Sequence, residues 1–259
     1  MGFLLPVTTL WWREIVRFLR QRSRVIGSLA QPLLFWLLVG GGLKASFRPP
    51  GTPVGTDYVE YFYPGILALV LLFTAIFSTI STIQDRREGF LQGVLVAPVT
   101  RSGIVLGQTL GGTTLALMEG LLLLFLAPVA GIALSFQAAI SALAVMALLS
   151  FGLTSLGLAI AWRMESVQGF HSIMNLVLMP LWLLSGAFFP AEGAPGWLGW
   201  IMRVNPLTYG LAALRRCLYW QDSASLTQVP PLFLSIVVTL LFSSVIFFLA
   251  VTVAKRRPV

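Results

Sequence analysis

The sequence has little charge and few of the residues that carry most enzyme chemistry. Only 10% of its 259 residues are charged and 57% are hydrophobic, whereas a soluble domain has about 25% charged residues. A single cysteine, Cys217, excludes an internal disulfide, and a single histidine, His171, excludes a histidine metal cluster. Neither lysine, Lys44 or Lys255, belongs to a G-x-x-x-x-G-K-[ST] motif, so no P-loop for ATP is present. We therefore expect this chain to bind no cofactor and no metal.

What the sequence does have is a series of long uncharged stretches. Several of them are about 20 residues long, the length that a helix needs to cross a bilayer. Six are predicted to span the membrane: 25–43, 61–83, 103–127, 137–162, 168–189 and 232–253. The fold class expected is therefore an all-α integral membrane protein, with a single domain over 1–259.

The distribution of basic residues predicts the orientation of the chain. With six spans, twelve Lys and Arg residues lie on the side of the two termini and five on the other side. Because short cytoplasmic loops are enriched in Lys and Arg, both termini are predicted to be cytoplasmic. The net charge of +8 is thus attributed to membrane topology, and we expect no nucleic-acid partner. No inverted repeat of the kind found in secondary transporters is evident between 1–130 and 131–259.

A basic stripe precedes the first span. Its arginines follow one another at spacings of 4, 3 and 4, which places them on one face of a helix over 8–24: Arg13, Arg17, Arg20 and Arg24. Trp11 and Trp12 are aromatic neighbours of this stripe. This pattern is typical of an interfacial helix in the headgroup layer of the bilayer. A soluble basic leader is the alternative.

A charged stretch between the second and third spans predicts a short amphipathic helix over 85–98. Asp85 and Glu88 have the spacing of a capping box at a helix start, and Arg86 and Arg87 lie between them. Pro98 ends the helix. One apolar face follows the charged turn: Phe90, Leu91, Val94 and Leu95. Such a helix, on the side where arginines collect, is suited to contact a soluble partner.

The stretch 193–220 does not fit a single span. Arg203 and the Asn205–Pro206 break would lie at mid-depth, which is costly in lipid. Two short helices, forming a re-entrant or interfacial pair on the external side, fit better.

A few polar residues lie within the predicted spans. Glu119 could relay protons or bind a cation, or could be protonated or paired for structural reasons. Asn175 and Ser185 could border a pathway or serve packing. Gly111 and Gly112 are predicted to allow close helix packing. Most of six tryptophans fall near span ends and are predicted to form interfacial belts: Trp36, Trp162, Trp182, Trp197, Trp200 and Trp220.

Three patterns in this order resemble the type-2 permease family of ABC exporters, which includes daunorubicin-type drug exporters and polysaccharide exporters. The first is Tyr63-Pro64-Gly65 at the start of the second span. The second is the charged turn, short Leu-rich helix and Ala97-Pro98 within 85–108. The third is the Leu-Ser-Gly motif with a later proline within 180–190, followed by Asn-Pro-Leu-Thr-Tyr at 205–209. With the basic leader, the resemblance covers nearly the whole chain.

The resemblance implies a half-transporter that dimerises with a second permease and binds two cytoplasmic ABC ATPase subunits, which hold ATP and Mg. The segment from Asp85 to Leu95 would be the coupling helix, seated in a cleft of the ATPase. Gln92 stands where many members have a glutamate. The external re-entrant turn would consist of Asn205, Pro206, Leu207, Thr208 and Tyr209. Family pathways are lined by the first, second and fifth spans, with dimer contacts around the first and fifth.

The main hypothesis is thus the permease subunit of an ATP-driven exporter in the prokaryotic inner membrane. Uncharged spans favour an amphipathic, lipid-linked or drug-like substrate over a small ion. A proton-coupled secondary transporter that uses Glu119 is the alternative, and a non-transporting membrane scaffold stays open. An intramembrane enzyme lacks a paired nucleophile and base.

Overall fold

The computed structural model describes residues 3–43, 58–188, 195–220 and 229–256. In the helix that follows the basic leader, the side chains at 22–25, 28, 29, 31 and 43 lie outside the described part. No strand occurs among the described residues. The fold class predicted from the sequence, an all-α membrane protein, is confirmed.

The helices follow one another with short breaks. In chain order they are α1 (Leu4–Arg20), α2 (Arg22–Leu43), α3 (Tyr58–Ser78), α4 (Ile80–Arg87), α5 (Phe90–Val96), α6 (Arg101–Leu126), α7 (Phe136–Ala161), α8 (Val167–Trp182), α9 (Gly196–Val204), α10 (Pro206–Leu218) and α11 (Leu232–Arg256). A 3-10 turn, Ala127–Ala130, follows α6, and a π-helical turn, Leu183–Ala187, follows α8.

Side-chain N-caps determine where several helices begin. The hydroxyl oxygens of Thr100, Ser135 and Ser166 accept hydrogen bonds from the backbone N–H three residues later, at distances of 3.2, 3.1 and 3.3 Å. Each cap satisfies an N–H that has no partner inside its helix. The caps start α6, α7 and α8 close to the starts predicted from the hydrophobic runs.

Five helical segments in the described part are long and apolar enough to cross a membrane: Tyr58–Arg87, Arg101–Ala130, Phe136–Ala161, Val167–Ala187 and Leu232–Arg256. They coincide with five of the six predicted spans. The first predicted span, 25–43, falls in α2, whose apolar part in the described chain is the shorter helix Pro32–Gly42. That span stays a prediction.

The centre of the bundle is α3. Phe62, Ile66 and Leu71 are fully buried, and α3 packs against α2, α6, α7 and α8. At the periphery, α11 packs on α6 and α7 and exposes large apolar side chains such as Phe233 and Phe248. An apolar outer surface of this kind is what a lipid-facing helix needs.

Two ends of the bundle are distinguished by charge. The basic end holds Arg13, Arg86, Arg101 and Arg256, and the far end holds α9, α10 and the turn after α6. Helices α3, α6, α7, α8 and α11 run alternately between these ends, as predicted for consecutive spans.

Glycines let the helices approach closely, as the sequence predicted for Gly111 and Gly112. A Cβ atom on Gly112 would lie 2.3 Å from the Ser78 hydroxyl oxygen, and one on Gly111 would lie 2.8 Å from the Glu14 Cβ. Because atoms cannot approach so closely, any larger residue at these two positions would push the helices apart.

The tryptophan belt predicted from the sequence holds for only part of the set. Trp197, Trp200 and Trp220 are exposed, as expected of belt residues. Three others are buried in the protein, which corrects the prediction for them: Trp36, Trp162 and Trp182. Proximity to a span end therefore does not reveal whether an indole faces lipid or a neighbouring helix.

Candidate coupling segment and central cavity

The charged turn after α3 is the end of a helix and not the start of one. Asp85 lies in the last turn of α4, and Glu88 follows its end. Gly89 then takes a left-handed conformation with φ of 78°, which breaks the chain before α5. The capping-box prediction is therefore wrong, and the helix predicted over 85–98 is the α4 end, this glycine break and α5.

Asp85 is buried and holds two arginines of α1. Its carboxylate oxygens accept hydrogen bonds from both terminal nitrogens of Arg13, each at 2.6 Å, and from Nη1 of Arg17 at 2.7 Å. Nη2 of Arg17 also donates to Oε1 of Gln84 at 2.8 Å. Short bidentate contacts to a carboxylate are the strongest form of an ion pair. Helix α1 is thus bound to the segment 85–96, the end of α4 with α5, which we call the coupling segment.

Glu14 lies beside this ion pair and shares its surroundings. Burial raises the pKa of the Glu14 carboxyl, and Asp85 raises it further, while a hydrogen bond with Ser81 and the nearby arginines act the other way. The pKa of the Arg13 guanidinium is raised, chiefly by its hydrogen bonds to Asp85. The arginine therefore keeps its charge, and Glu14 gives up its proton less readily than an exposed glutamate.

Arg86 caps the C-terminal end of α7. Its guanidinium donates to the carbonyl oxygens of Met164 and Trp162, at 2.9 and 3.0 Å, and approaches that of Ala161 at 3.4 Å. A cation is stabilised at a helix C-terminus by the unpaired carbonyls there. Arg86 therefore joins the coupling segment to the turn between α7 and α8, and it is not freely displayed to a partner.

The apolar face of α5 is turned into the bundle. Leu91 is buried, and Val94 and Leu95 pack with it against Leu10 of α1 and residues of α6, α7 and α11. Leu91 of this face and Asp85 before it are buried by the chain itself. Contact of the segment from Asp85 to Leu95 with an ATPase stays a prediction. Exposed residues of the segment lie on the other side: Arg87, Glu88, Phe90, Gln92 and Val96.

Helix α1 runs alongside the first half of α6. A Cβ on Gly107 would lie 2.9 Å from the Val7 carbonyl oxygen, and Trp11 donates its indole N–H to Thr114 at 2.9 Å. Ile15 and Phe18 pack on Leu115. The two helices therefore run in the same direction.

The basic stripe of α1 is divided by this packing. Arg13 and Arg17 face Asp85, Arg20 is exposed, and the Arg24 side chain lies outside the described part of α2. Exposed apolar side chains such as Leu5 and Trp12 lie on the other side of α1. Placement of α1 in the headgroup layer stays a prediction.

Three motifs far apart in the sequence meet at one junction. A Cβ on Gly65 would lie 2.9 Å from the Cβ of Ala187, so the Tyr-Pro-Gly start of α3 touches the π-helical turn after α8. The Trp182 indole donates to the Gly65 carbonyl oxygen at 2.7 Å. Gly186, with φ of 85°, turns the chain here, and its carbonyl oxygen accepts from Arg215 at 2.8 Å. Ser185 is buried and donates to the Trp182 carbonyl oxygen at 2.6 Å.

The Asn-Pro-Leu-Thr-Tyr motif links this junction to α9 and α10. Asn205 donates to the Leu181 carbonyl oxygen at 2.7 Å and accepts from the Leu207 N–H at 3.0 Å, capping α10 just before Pro206. Two hydroxyl groups of the motif close the turn by donating to carbonyl oxygens of α9: Thr208 to Met202 at 2.7 Å and Tyr209 to Arg203 at 2.9 Å.

The helical hairpin α9–α10 dips into the bundle from the far end. A Cβ on Gly210 would lie 2.7 Å from a methyl group of Leu149, in the middle of α7. At the other end of α10, the Tyr219 hydroxyl donates to the Glu60 carbonyl oxygen at 2.8 Å, near the start of α3. Residues 193 and 194 of the predicted pair lie outside the described part.

A cavity of about 580 Å³ lies between α2, α3 and α8. Its wall is largely aromatic and apolar, with polar side chains toward the basic end. The lining residues most relevant to its chemistry are Phe35, Phe73, Trp182, Gln84, His171 and Asn175. Volume and lining fall within the range of small-molecule binding sites. We refer to it as the central cavity.

Of the three intramembrane polar residues singled out from the sequence, one lines this cavity. Asn175 lies on an exposed face of α8 and borders it, while Ser185 belongs to the far-end junction. Glu119 is buried in α6 and accepts a hydrogen bond from Thr74, which does line the cavity. The cavity itself was missed, since only the packing of three separate helices creates it.

This all-helical architecture, with five described segments long and apolar enough to cross a bilayer, is that of a multi-pass integral membrane protein. The model of the ABC-2 type transporter family matches residues 6–219, and the chain belongs to that family.

Relatives with the same kind of description cover most of both chains. The chain is 29% identical over 235 residues to the transport permease ycf38 of Cyanophora paradoxa, covering 88% of this chain and 80% of that one. It is 27% identical over 237 residues to Nodulation protein J of Sinorhizobium fredii, covering 91% and 87%. The chain is thus a permease subunit of an ABC transporter, a transport component that is not itself catalytic and whose family implies an ABC ATPase subunit as partner.

Proposed function

We propose that the chain is the permease of an ATP-driven exporter, and that it acts as a dimer with two cytoplasmic ATPase subunits that hold ATP and Mg. The whole chain, 1–259, forms one permease domain in the prokaryotic inner membrane, with both termini cytoplasmic. The substrate is amphipathic, lipid-linked or drug-like. Helices α9 and α10 form the external re-entrant pair, and α1 is the interfacial helix.

One observation carries the proposal. The coupling segment has an exposed side, and its buried side is bound to several helices. Arg87, Glu88 and Phe90 are exposed at the basic end, where a cytoplasmic ATPase would bind. Directly beneath them, Asp85 binds α1 and Arg86 binds the end of α7. A displacement imposed on the exposed residues would therefore move α1 and the α7–α8 turn together.

The central cavity supports a passage at the dimer interface. Helix α8 buries a single stripe, Phe170, Met174, Leu178 and Trp182, and leaves Asn175 and Leu176 exposed. An exposed asparagine in a spanning helix needs a polar or protein-covered neighbour, since lipid offers no hydrogen bond. A second copy facing α2 and α8 would enclose this face.

Charge reversal on the exposed side of the coupling segment tests the proposed function. In proteoliposomes that contain the permease and its ATPase partner, Arg87→Glu should reduce substrate-stimulated ATPase activity and transport by about tenfold or more, because a charge-paired contact is lost. Arg203→Glu, an equal change at the far end, should leave both unchanged. Normal coupled transport by the Arg87 variant would overturn the proposal.

The proton-coupled alternative rests on the contact between Glu119 and Thr74, since Thr74 borders the cavity. Glu119→Gln distinguishes the two functions. ATP-dependent transport should persist in this variant without any imposed proton gradient. Loss of transport, together with a requirement for a proton gradient in the unmodified protein, would favour the alternative.

A further inference from the structure

We propose that Arg215, at the far end of the bundle, binds an oxyanion such as a phosphate group. Arg215 belongs to α10 and is only 8% exposed, and its Nε atom is buried without a hydrogen-bond partner. Phosphate groups come to this end from two sources, the headgroups of lipids and free phosphate in the medium. Binding of this anion does not depend on the proposed function, because the anion is a bound ligand of the chain and not its transported substrate.

The contacts of Arg215 hold its guanidinium in place but do not balance its charge. Nη2 donates to the Gly186 carbonyl oxygen at 2.8 Å, and the same oxygen also accepts from the Tyr61 hydroxyl at 3.3 Å. The guanidinium carbon lies 4.4 Å from the centre of the Tyr61 ring. A carbonyl at a helix end and a ring face both attract a cation. Neither carries the full negative charge that usually accompanies a buried arginine.

No carboxylate in the described part of the chain compensates Arg215. The ion pairs among the described residues lie at the basic end, where Asp85 binds Arg13 and Arg17. Glu60 is the acidic side chain described at the far end, and no nitrogen–oxygen contact of 4.0 Å or less joins it to Arg215. An anion from outside the described chain would therefore supply the missing charge.

The next residue, Arg216, shows how the chain satisfies an arginine of α10. Its Nε donates to the Pro230 carbonyl oxygen at 2.7 Å, and its Nη2 donates to that of Val229 at 2.5 Å. The Nε of Arg215 has no such acceptor. A water molecule could accept this hydrogen bond, but only an anion would also balance the charge.

The shape of a guanidinium favours an oxyanion over a simple halide. The group is planar and presents paired N–H donors that match two oxygens of a phosphate, sulfate or carboxylate. Exposed tryptophans at the far end, such as Trp200 and Trp220, are typical of the level of the lipid headgroups, where the lipid phosphates also lie. Phosphate is therefore the oxyanion with which to test the site.

Thermal unfolding of the full chain in nanodiscs tests whether phosphate binds. One set of nanodiscs contains phosphatidylcholine, and the other contains an uncharged glycolipid without phosphate. In each set, inorganic phosphate replaces chloride at constant ionic strength, up to about 10 mM. We expect phosphate to raise the unfolding temperature by about 3 °C in the glycolipid nanodiscs, since a ligand that binds only the folded state stabilises it. The absence of any gain there would overturn the proposal.

The two lipids distinguish the sources of the phosphate group. If a lipid phosphate fills the site, added phosphate should raise the unfolding temperature only in the glycolipid nanodiscs. If the site takes free phosphate and no lipid phosphate reaches it, the gain should appear with both lipids. Either pattern supports the proposal, provided that the gain depends on Arg215.

Neighbouring arginines provide a matched pair of variants. Arg215→Gln should abolish the gain from phosphate in the glycolipid nanodiscs, whereas Arg216→Gln removes the same charge one residue later and should keep it. Arg215→Lys retains the charge, and it serves the test even if the glutamine variant does not fold. This lysine variant should lose about half of the gain, because a lysine binds phosphate without the paired donors. An undiminished gain in the Arg215 variants, or an equal loss in Arg216→Gln, would overturn the proposal.

Discussion

Arg13 and Asp85 lie 72 residues apart in the sequence and form a bidentate ion pair with both nitrogen–oxygen distances at 2.6 Å. Asp85 is 1% exposed, whereas the Arg13 side chain is 28% exposed. The pair joins the N-terminal helix to the coupling segment at a partly buried site, where a guanidinium is less screened than at the surface.

Replacement of Asp85 by asparagine should loosen α1 from the coupling segment. The change leaves Arg13 and Arg17 without their carboxylate and should lower the free energy of unfolding by about 2 kcal/mol. It should also reduce the coupling of ATPase activity to transport. Thermal unfolding and transport in proteoliposomes measure the two effects. Glu88→Gln is the control, because it removes a negative charge at an exposed position that makes none of these hydrogen bonds with α1. It should not reduce the unfolding temperature.

A double-mutant cycle separates the pair from its surroundings. If Arg13 acts through Asp85, the double variant Arg13→Gln/Asp85→Asn should be destabilised by less than the sum of the two single variants. Strictly additive effects would show that the ion pair contributes nothing to the attachment of α1.

Gly107 should tolerate no side chain, because α1 lies against it. A Cβ there would be 2.9 Å from the Val7 carbonyl oxygen and 3.0 Å from the Leu10 Cβ. Gly107→Ala is expected to destabilise the chain by about 1 to 2 kcal/mol through overpacking. Gly93→Ala, in α5 with nothing within 4 Å of the added atom, should be neutral or stabilising by up to about 1 kcal/mol. If both substitutions changed the unfolding temperature in the same direction, this would argue against close packing of α1 on α6.

Asn205 should hold the α9–α10 hairpin in place. Asn205→Ala removes both the N-cap of α10 and the bond to the Leu181 carbonyl oxygen, which together should cost about 2 kcal/mol. The buried thiol of Cys217, on α10, reports the loosening. Its reaction with a maleimide should become faster in this variant. Thr100→Ala, which removes the N-cap of α6 at the basic end, should leave the rate of labelling nearly unchanged.

The protonation of Glu14 should make stability depend on pH. Because burial raises its pKa in the folded state, the folded chain holds this proton more tightly than the unfolded chain does. Stability therefore falls as pH rises from the ordinary value of 4.5 through the raised pKa. Glu14→Gln removes this dependence, so the variant should unfold at a higher temperature than the unmodified chain at neutral pH. This difference in unfolding temperature should shrink as the pH is lowered toward 4.5.

An exposed glutamate provides the comparison for this pH profile. Glu165 lies in the turn between α7 and α8 and is exposed. Glu165→Gln should leave the unfolding temperature unchanged across the same pH series. A Glu14→Gln variant that loses stability at neutral pH would mean that the ionised carboxylate supports the ion pair beside it.

The sequence by itself determined the membrane class, five of the long apolar helices and the existence of short helices at both ends. These features depend on local properties: the length of uncharged runs, the proline and glycine breaks, and polar residues that cap helices. For the same reason Asn205 and Pro206 marked a helix start without any knowledge of the fold. Gly111 and Gly112 were correctly assigned to packing because small residues at helix interfaces serve that purpose.

Only the tertiary structure decided which side chains of the coupling segment face outward. Asp85 and Leu91 carry the same sequence signals as the exposed Glu88 and Phe90, yet helices from distant parts of the chain cover them. Local sequence patterns likewise did not predict that Trp182 is buried or that Gly65 contacts Ala187. A periodicity identifies the faces of a helix, but the neighbour that each face meets depends on contacts between residues far apart in sequence, and these exist only once the bundle has packed.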